Sequence, residues 1–244
     1  MIGIIDSGIG GFTVLNALRV MAPQADVVYL ADIVGAPYGS KNDAAIAARV
    51  RHGLRILRAH GATTIAIACH TASVIASSLG EPLDDVVTMV DASVDCIADA
   101  SPRRCAIVAT PATIRSGTYA RRCRVLGVMP EDIATADLAP AIESAAPRKV
   151  IARIVEHIAD AVCVRGCDAV LLGCTHFPIA RPLFDAAFAA RGAVIRIIDP
   201  TAAVAAAVAA RADAGGDAVL RVLVSANSAT FSVHVVARYS GVPI

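Results

Sequence analysis

Thr63-Thr64-Ile65-Ala66-Ile67-Ala68-Cys69-His70-Thr71 is an apolar run that stops on a cysteine, followed by imidazole and hydroxyl side chains. Asp168-Ala169-Val170-Leu171-Leu172-Gly173-Cys174-Thr175-His176 repeats the pattern far downstream. Each reads as a short buried strand leading into a helix. In open α/β sheets, ligands bind outside the carboxyl ends of the strands. Each cysteine therefore falls where a ligand is expected. Two thiols so placed can face each other across one cleft, which suits acid/base chemistry on both sides of a small molecule.

Working outward, strand and helix signals alternate along the chain. The expected strands are Ile2–Ile5, Val27–Leu30, Thr64–Ala68, Val86–Val90, Cys105–Ala109, Ala169–Leu172 and Val194–Ile198. Asp43–His60 and Arg148–Val164 carry helical spacing, and Gly61, Gly166 and Gly192 follow helical runs as C-terminal caps. This alternation predicts parallel sheets with right-handed crossovers. One offset, 105 residues, separates Gly61 from Gly166 and Cys69 from Cys174 (166 − 61 and 174 − 69). It predicts two similar α/β domains, residues 1–91 with 205–244 in the first and 92–204 in the second. Leu220–Val224 reads as a late strand and Ser228–Arg238 as a helix, both packing back on the first domain.

Composition narrows the chemistry. The chain has 244 residues, enough for a substantial core, and 56% are apolar while only 4% are aromatic. That balance fits helices around buried parallel strands. A net charge of +1 gives no electrostatic case for nucleic acid. The arginines at 49, 51, 55 and 58 are expected on a solvated helix face. Lys41 and Lys149 are the only lysines, and neither sits in a pocket motif, which argues against a pyridoxal cofactor. Seven cysteines without dense spacing fit a reducing cytoplasm better than a disulfide framework. Neither a leader segment nor a membrane span is expected.

Several short motifs carry candidate chemistry. Asp6-Ser7-Gly8-Ile9-Gly10-Gly11-Phe12 follows the first strand. Its glycines let backbone approach a ligand, and the next helix offers N–H groups to an anion. The spacing is wrong for a dinucleotide fingerprint. Asp6 either serves the site or caps the following helix. Ala36-Pro37-Tyr38-Gly39-Ser40 is a turn with polar tips. In Thr110-Pro111-Ala112-Thr113 the hydroxyls cap a helix or hold a carboxylate. A neighbouring histidine and a helix start lower a thiol pKa, which sets Cys69 and Cys174 apart from Cys96, Cys105, Cys123, Cys163 and Cys167. Zinc is disfavoured, because the boxes lack short C-x₂₋₄-C spacing.

Taken together, Asp-Ser-Gly-x-Gly-Gly at 6–11, Ala-Pro-Tyr-Gly at 36–39, Ala-Cys-x-Thr-Ala at 68–72, Thr-Pro-Ala-Thr-Ile-x-Ser-Gly-x-Tyr at 110–119 and Leu-Gly-Cys-Thr-His-Phe-Pro at 172–178 resemble the cofactor-independent aspartate/glutamate racemase superfamily, the glutamate racemases above all. The matches run in family order over most of the chain. The resemblance implies two flavodoxin-like α/β domains with the active site between them. It implies inversion of an amino acid at Cα without pyridoxal or metal. Cys69 and Cys174 match the catalytic cysteines, Asp6 and His176 the groups that assist them, and Glu143 a supporting acid. Ser7, Tyr38, Gly39, Thr71, Thr110, Thr113 and Thr175 match substrate-holding positions. His70 is expected there too, or as a group that tunes Cys69.

The chemistry is consistent with that match. Inversion needs one group to take the Cα proton and another to return it on the opposite face. The planar intermediate needs its carboxylate charge stabilised by preorganised donors. Two departures bear on the substrate: His70 replaces the family's asparagine, and Ala31-Asp32-Ile33-Val34-Gly35 differs from the usual Gly-Asp-Thr pattern. Glutamate is the first expectation, with aspartate or another amino acid as alternatives. A decarboxylase, a hydantoin racemase and a non-enzymatic binder on the same scaffold compete. The only expected partners are a small amino acid and a second copy of the chain in a homodimer.

Overall fold

The computed structural model describes residues 1–212 and 215–225. The strands are β1 (Ile2–Asp6), β2 (Val27–Ala31), β3 (Thr64–Ile67), β4 (Val86–Thr88), β5 (Arg104–Ala109), β6 (Met129–Ala134), β7 (Ala169–Gly173), β8 (Arg196–Ile198) and β9 (Leu220–Val224). The helices are α1 (Phe12–Met21), α2 (Asp43–Ala59), α3 (His70–Ser73), α4 (Met89–Ala100), α5 (Pro111–Arg115), α6 (Thr118–Val125), α7 (Leu138–Glu143), α8 (Arg148–Val164), α9 (Arg181–Ala190) and α10 (Thr201–Ala209).

The strands form two sheets, ordered β4-β3-β1-β2-β9 and β6-β5-β7-β8, with every pairing parallel. Within each, the first four strands in chain order lie as second, first, third, fourth. This is the flavodoxin-like arrangement, whose ligand crevice opens where the order reverses, between first and third strands. β3 and β7 hold the third place; Cys174 directly follows β7, and Cys69 follows β3 after Ala68. The shared offset thus reflects a shared topology.

Apolar side chains cover both faces of each sheet, as buried parallel sheets require. Ile4, Leu15, Leu18 and Val204 pack on one face of the first sheet, and Ile5, Val50, Leu54 and Ile67 on the other. In the second sheet, Val108, Val155, Leu172 and Phe184 pack on one face, and Ile97, Ile107, Tyr119 and Leu171 on the other. The chain crosses from one sheet to the other along α4, which Thr88 caps by accepting from the Val90 amide. β9 returns beside β2, with Val27 opposite Leu220.

Most expected elements lie where the sequence places them. Gly61, Gly166 and Gly192 all adopt positive φ at helix ends. β8 starts later than expected, at Arg196, and Val194 is exposed. β4 ends at Thr88, because Met89 already begins α4. No expected strand covers Met-Pro-Glu-Asp-Ile-Ala at 129–134, yet β6 forms there. As an edge strand it pairs only with β5, so its proline, the exposed Asp132 and the arginine-paired Glu131 are tolerated. The expected helix Ser228–Arg238 lies outside the described residues. Among the described residues, no helix is long and apolar enough to cross a membrane.

The arginines of α2 need a correction. Arg49 pairs with Asp32, Arg58 bonds Asp85 at 2.7 and 2.8 Å, and Arg51 donates to the Leu79 carbonyl at 3.2 Å. These three are tied to their surroundings, because acceptors distant in sequence lie within reach of their long side chains. Arg55 is exposed as expected and bonds the Arg51 carbonyl of its own helix.

Leu171 is fully buried in β7 against Ile107 and Ile97. Leu171→Ala is expected to cost about 2–5 kcal/mol, read as a lower urea midpoint with unchanged slope. An unchanged midpoint would contradict this packing.

Candidate active site

A cleft of about 420 Å³ opens between the carboxyl ends of the two sheets. Ser7, Tyr38, Gly39, Cys69 and Thr71 line it from the first sheet's side. Thr110, Glu143, Cys174, Thr175 and His176 line it from the second. Ten of the expected site residues therefore share one cavity, and both cysteines are among them. Asp6, Thr113 and His70 stand behind this wall.

Asp6 is fully buried at the end of β1. It does not cap α1, whose N-cap is Gly11 without any side-chain bond. One oxygen accepts from the Gly8 amide at 2.7 Å, and the other accepts from the Thr175 hydroxyl at 2.9 Å. Burial raises its pKa against the opposing pull of His176 and these hydrogen bonds.

Glu143, at the end of α7, mirrors this role from the other side. It accepts from the Ile9 amide at 3.1 Å and pairs closely with His176 Nε2. The glycine turn thus offers a backbone amide to an anion, and that anion is the protein's own carboxylate. Gly8 and Gly10 make the approach possible. A Cβ on Gly8 would sit 2.5 Å from Glu143, and one on Gly10 would overlap Thr175 and His176.

The thiols have different neighbours. Burial pushes the Cys69 thiol well up, and the Asp6 charge adds to it. Cys174 Sγ lies 3.7 Å from His176 Nδ1. Burial alone would lower the His176 pKa, but the bonds to Cys174 and Glu143 outweigh it and hold the ring well above its ordinary value. Protonated, His176 donates from Nε2 to Glu143 and from Nδ1 to the sulfur. The pair of cysteines is therefore asymmetric: an acid stands near one and a cationic donor beside the other.

Three threonine hydroxyls form a triangle at one wall. Thr71 lies 2.9 Å from Thr110 and 3.0 Å from Thr113, and the last two are 3.0 Å apart. Thr110 also caps α5, accepting from the Thr113 amide. Capping and lining the cleft are both its roles. Three rotatable hydroxyls can turn their hydrogens toward an arriving carboxylate at little cost.

Tyr38 presents its ring to the cleft and commits its hydroxyl to Asp32 at 2.7 Å. Arg49 grips the same carboxylate through two nitrogens. Burial would raise the Asp32 pKa, but the bonds from Arg49 and Tyr38 hold it below the ordinary range. Arg49 therefore stiffens the Pro-Tyr-Gly turn from behind. The altered 31–35 stretch contains Asp32, but nothing in the sequence ties it to Arg49. Ile33 from that stretch lines the cleft with Pro37, Ala136, Ala139 and Pro140. The second-sheet members of this apolar group come from a stretch without a recognisable motif.

His70 does not face the cleft. Its ring is buried, and Nδ1 lies 2.7 Å from the Tyr119 hydroxyl. The expectation of a substrate contact is corrected here: the first turn of α3 rotates His70 away from the wall that Cys69 and Thr71 occupy.

The sequence profile of the family described as Asp/Glu/Hydantoin racemase matches residues 13–208. The chain belongs to this family. A glutamate racemase of Koribacter versatilis is 32% identical over 209 residues, 83% of this chain and 72% of the relative. A crystal structure of the Francisella tularensis glutamate racemase with D-glutamate superposes with a TM-score of 0.86 at 24% identity. That match covers 99% of this chain and 93% of the other. The glutamate racemase of Aquifex pyrophilus gives 0.82 at 26% identity, over 98% and 94%. The chain is thus an amino acid racemase, an isomerase of the pyridoxal-independent kind. Among the described residues, no cluster of three or more His, Cys, Asp or Glu side chains could hold a metal. No described cysteine is bridged.

The His176–Glu143 pair sets a pH dependence. A histidine with a raised folded pKa contributes stability that is full below its unfolded value, about 6.5. That contribution is lost as pH rises through the folded value. Glu143→Gln should flatten this alkaline decline, read as the change in urea midpoint between about pH 6 and about pH 9. Identical declines in both proteins would show that Glu143 does not set the His176 charge.

Proposed function

We propose that the chain interconverts L- and D-glutamate by two-base proton transfer at Cα. The observation that carries this reading is the placement of Cys69 and Cys174 on opposite walls of one cleft. Glutamate is preferred over aspartate because relatives such as the Koribacter enzyme are glutamate racemases.

One thiolate takes the Cα proton and becomes a thiol, and the C–H electron pair passes into the carboxylate as a planar anion. The opposite thiol then delivers its proton to the other face and becomes the thiolate. Each turnover leaves the enzyme in the protonation state that the other enantiomer needs. Well-placed acid and base groups contribute about 10²–10⁴-fold each. Asp6 and His176 assist the first and second cysteine, and Glu143 fixes His176. Ser7, Thr71, Thr110 and Thr175 offer hydroxyls to the substrate, and Gly39 offers close backbone. Thr113 acts through the other two threonines. Among the described residues no arginine or lysine lines the cleft, so hydroxyls, backbone amides and the His176 ring are the donors available to the charge of the substrate. The frame proposed for opening this cleft divides the two sheets near residue 91 and again before α10, earlier than the expected boundary at residue 204, because Val204 and Ala205 pack on the first sheet. A cytoplasmic role in supplying D-glutamate for peptidoglycan precursors, with the enzyme as a homodimer, completes the proposal.

Cys69→Ala and Cys174→Ala should each reduce racemisation of glutamate by at least about a hundredfold, followed by circular dichroism and by Cα–H exchange in deuterated water. Near-full activity in either variant would refute the two-base assignment. Release of carbon dioxide from a malonate-type substrate would point to a decarboxylase instead.

A further inference from the structure

Among the described residues, His70 Nε2 is a buried side-chain nitrogen without a hydrogen-bond partner. Such atoms are rare enough to need a reason. The ring follows Cys69 directly and sits on α3, at the end of the first sheet. Its other nitrogen meets Tyr119 of α6, which packs on the second sheet. Tyr119 is itself buried, and its hydroxyl lies 3.5 Å from Ser93 Oγ on α4. Ser93 in turn donates to the Met89 carbonyl at 2.5 Å.

The hydrogens in this chain follow from its end. Ser93 spends its hydrogen on Met89, so its oxygen accepts from Tyr119. Tyr119 then accepts, and His70 donates from Nδ1. Assigned in this way from the network, the bare Nε2 is an acceptor and not an orphaned donor. Burial also lowers the His70 pKa to about 3, so the ring stays neutral.

We propose that His70 is a positioning residue for Cys69: through Tyr119 it ties the start of α3 to α6 and α4, and it makes no contact with substrate. Three helices that belong to different parts of the chain meet at this strut. Cys69 is the N-cap residue of α3, so any movement of the strut moves its sulfur. Tyr119 packs beside Leu171 of β7, but among the described residues no hydrogen bond joins Cys174 to the strut, and its side-chain partner is His176. The inference rests on the two-thiol reading above.

Tyr119→Phe removes one hydroxyl and keeps the ring. Enantiomers have equal free energy, so kcat/KM must fall equally in both directions. The asymmetry shows in the isotope effect. With Cα-deuterated glutamate, kcat should fall about five- to tenfold, the worth of one net hydrogen bond. The primary isotope effect should rise only for the enantiomer whose proton Cys69 removes. An equal rise for both enantiomers, or a higher KM with kcat kept, would overturn the proposal.

A second measurement uses the wild-type protein. In ¹⁵N spectra of the imidazoles, saturating glutamate should move the His176 ring signals and leave Nε2 of His70 in place. Movement of His70 Nε2 as it gains a donor would overturn the proposal. Silence at His176 together with absent Cα–H exchange would instead reject the glutamate reading itself.

Discussion

Asp6 and Glu143 each accept hydrogen bonds from both sides of one cleft. Asp6 belongs to the first sheet and takes a hydrogen from Gly8 beside it and from Thr175 across the gap. Glu143 belongs to the second sheet's side and takes one from Ile9 across the gap, while pairing with His176 on its own side. Hydrogen bonds to charged groups are worth about 1.5–3 kcal/mol each, and leaving such a group buried and unpaired costs more. These reciprocal contacts hold the two strand ends together. They also place the cysteine walls opposite each other.

The same carboxylates set the chemistry. Asp6 adds to the burial that keeps the Cys69 proton in place. Glu143 acts on Cys174 indirectly, by holding His176 charged and turned toward the sulfur. Two groups of one residue type thus acquire different surroundings, although inversion demands only that they exchange roles. Positioning and proton affinity come from the same few bonds, so a loss at either carboxylate disturbs both.

The motifs show which residues gather at the site, and not how each one is turned. Thr71 and His70 are neighbours in a helix start, yet one lines the cleft and the other is buried against Tyr119. One residue of helix turns a side chain by about 100°, and on α3 that turn carries His70 off the wall that Thr71 occupies. Arg49 looks like one of several surface arginines, and only its approach to Asp32 marks it as a support of the Tyr38 turn. β6 escaped notice because its polar composition fits an edge that only one neighbour needs.

The sequence by itself determined the α/β alternation, the repeated cysteine boxes and the residue types that an amino acid racemase needs. Those features are local: strand period, helix caps and motif spacing are written in consecutive residues. Tertiary structure decided which hydroxyls meet, which carboxylate serves which thiol, and that His70 braces the wall from behind. These are contacts between residues up to 169 positions apart. They depend on how two twisted sheets dock, a geometry that no single stretch of the chain encodes.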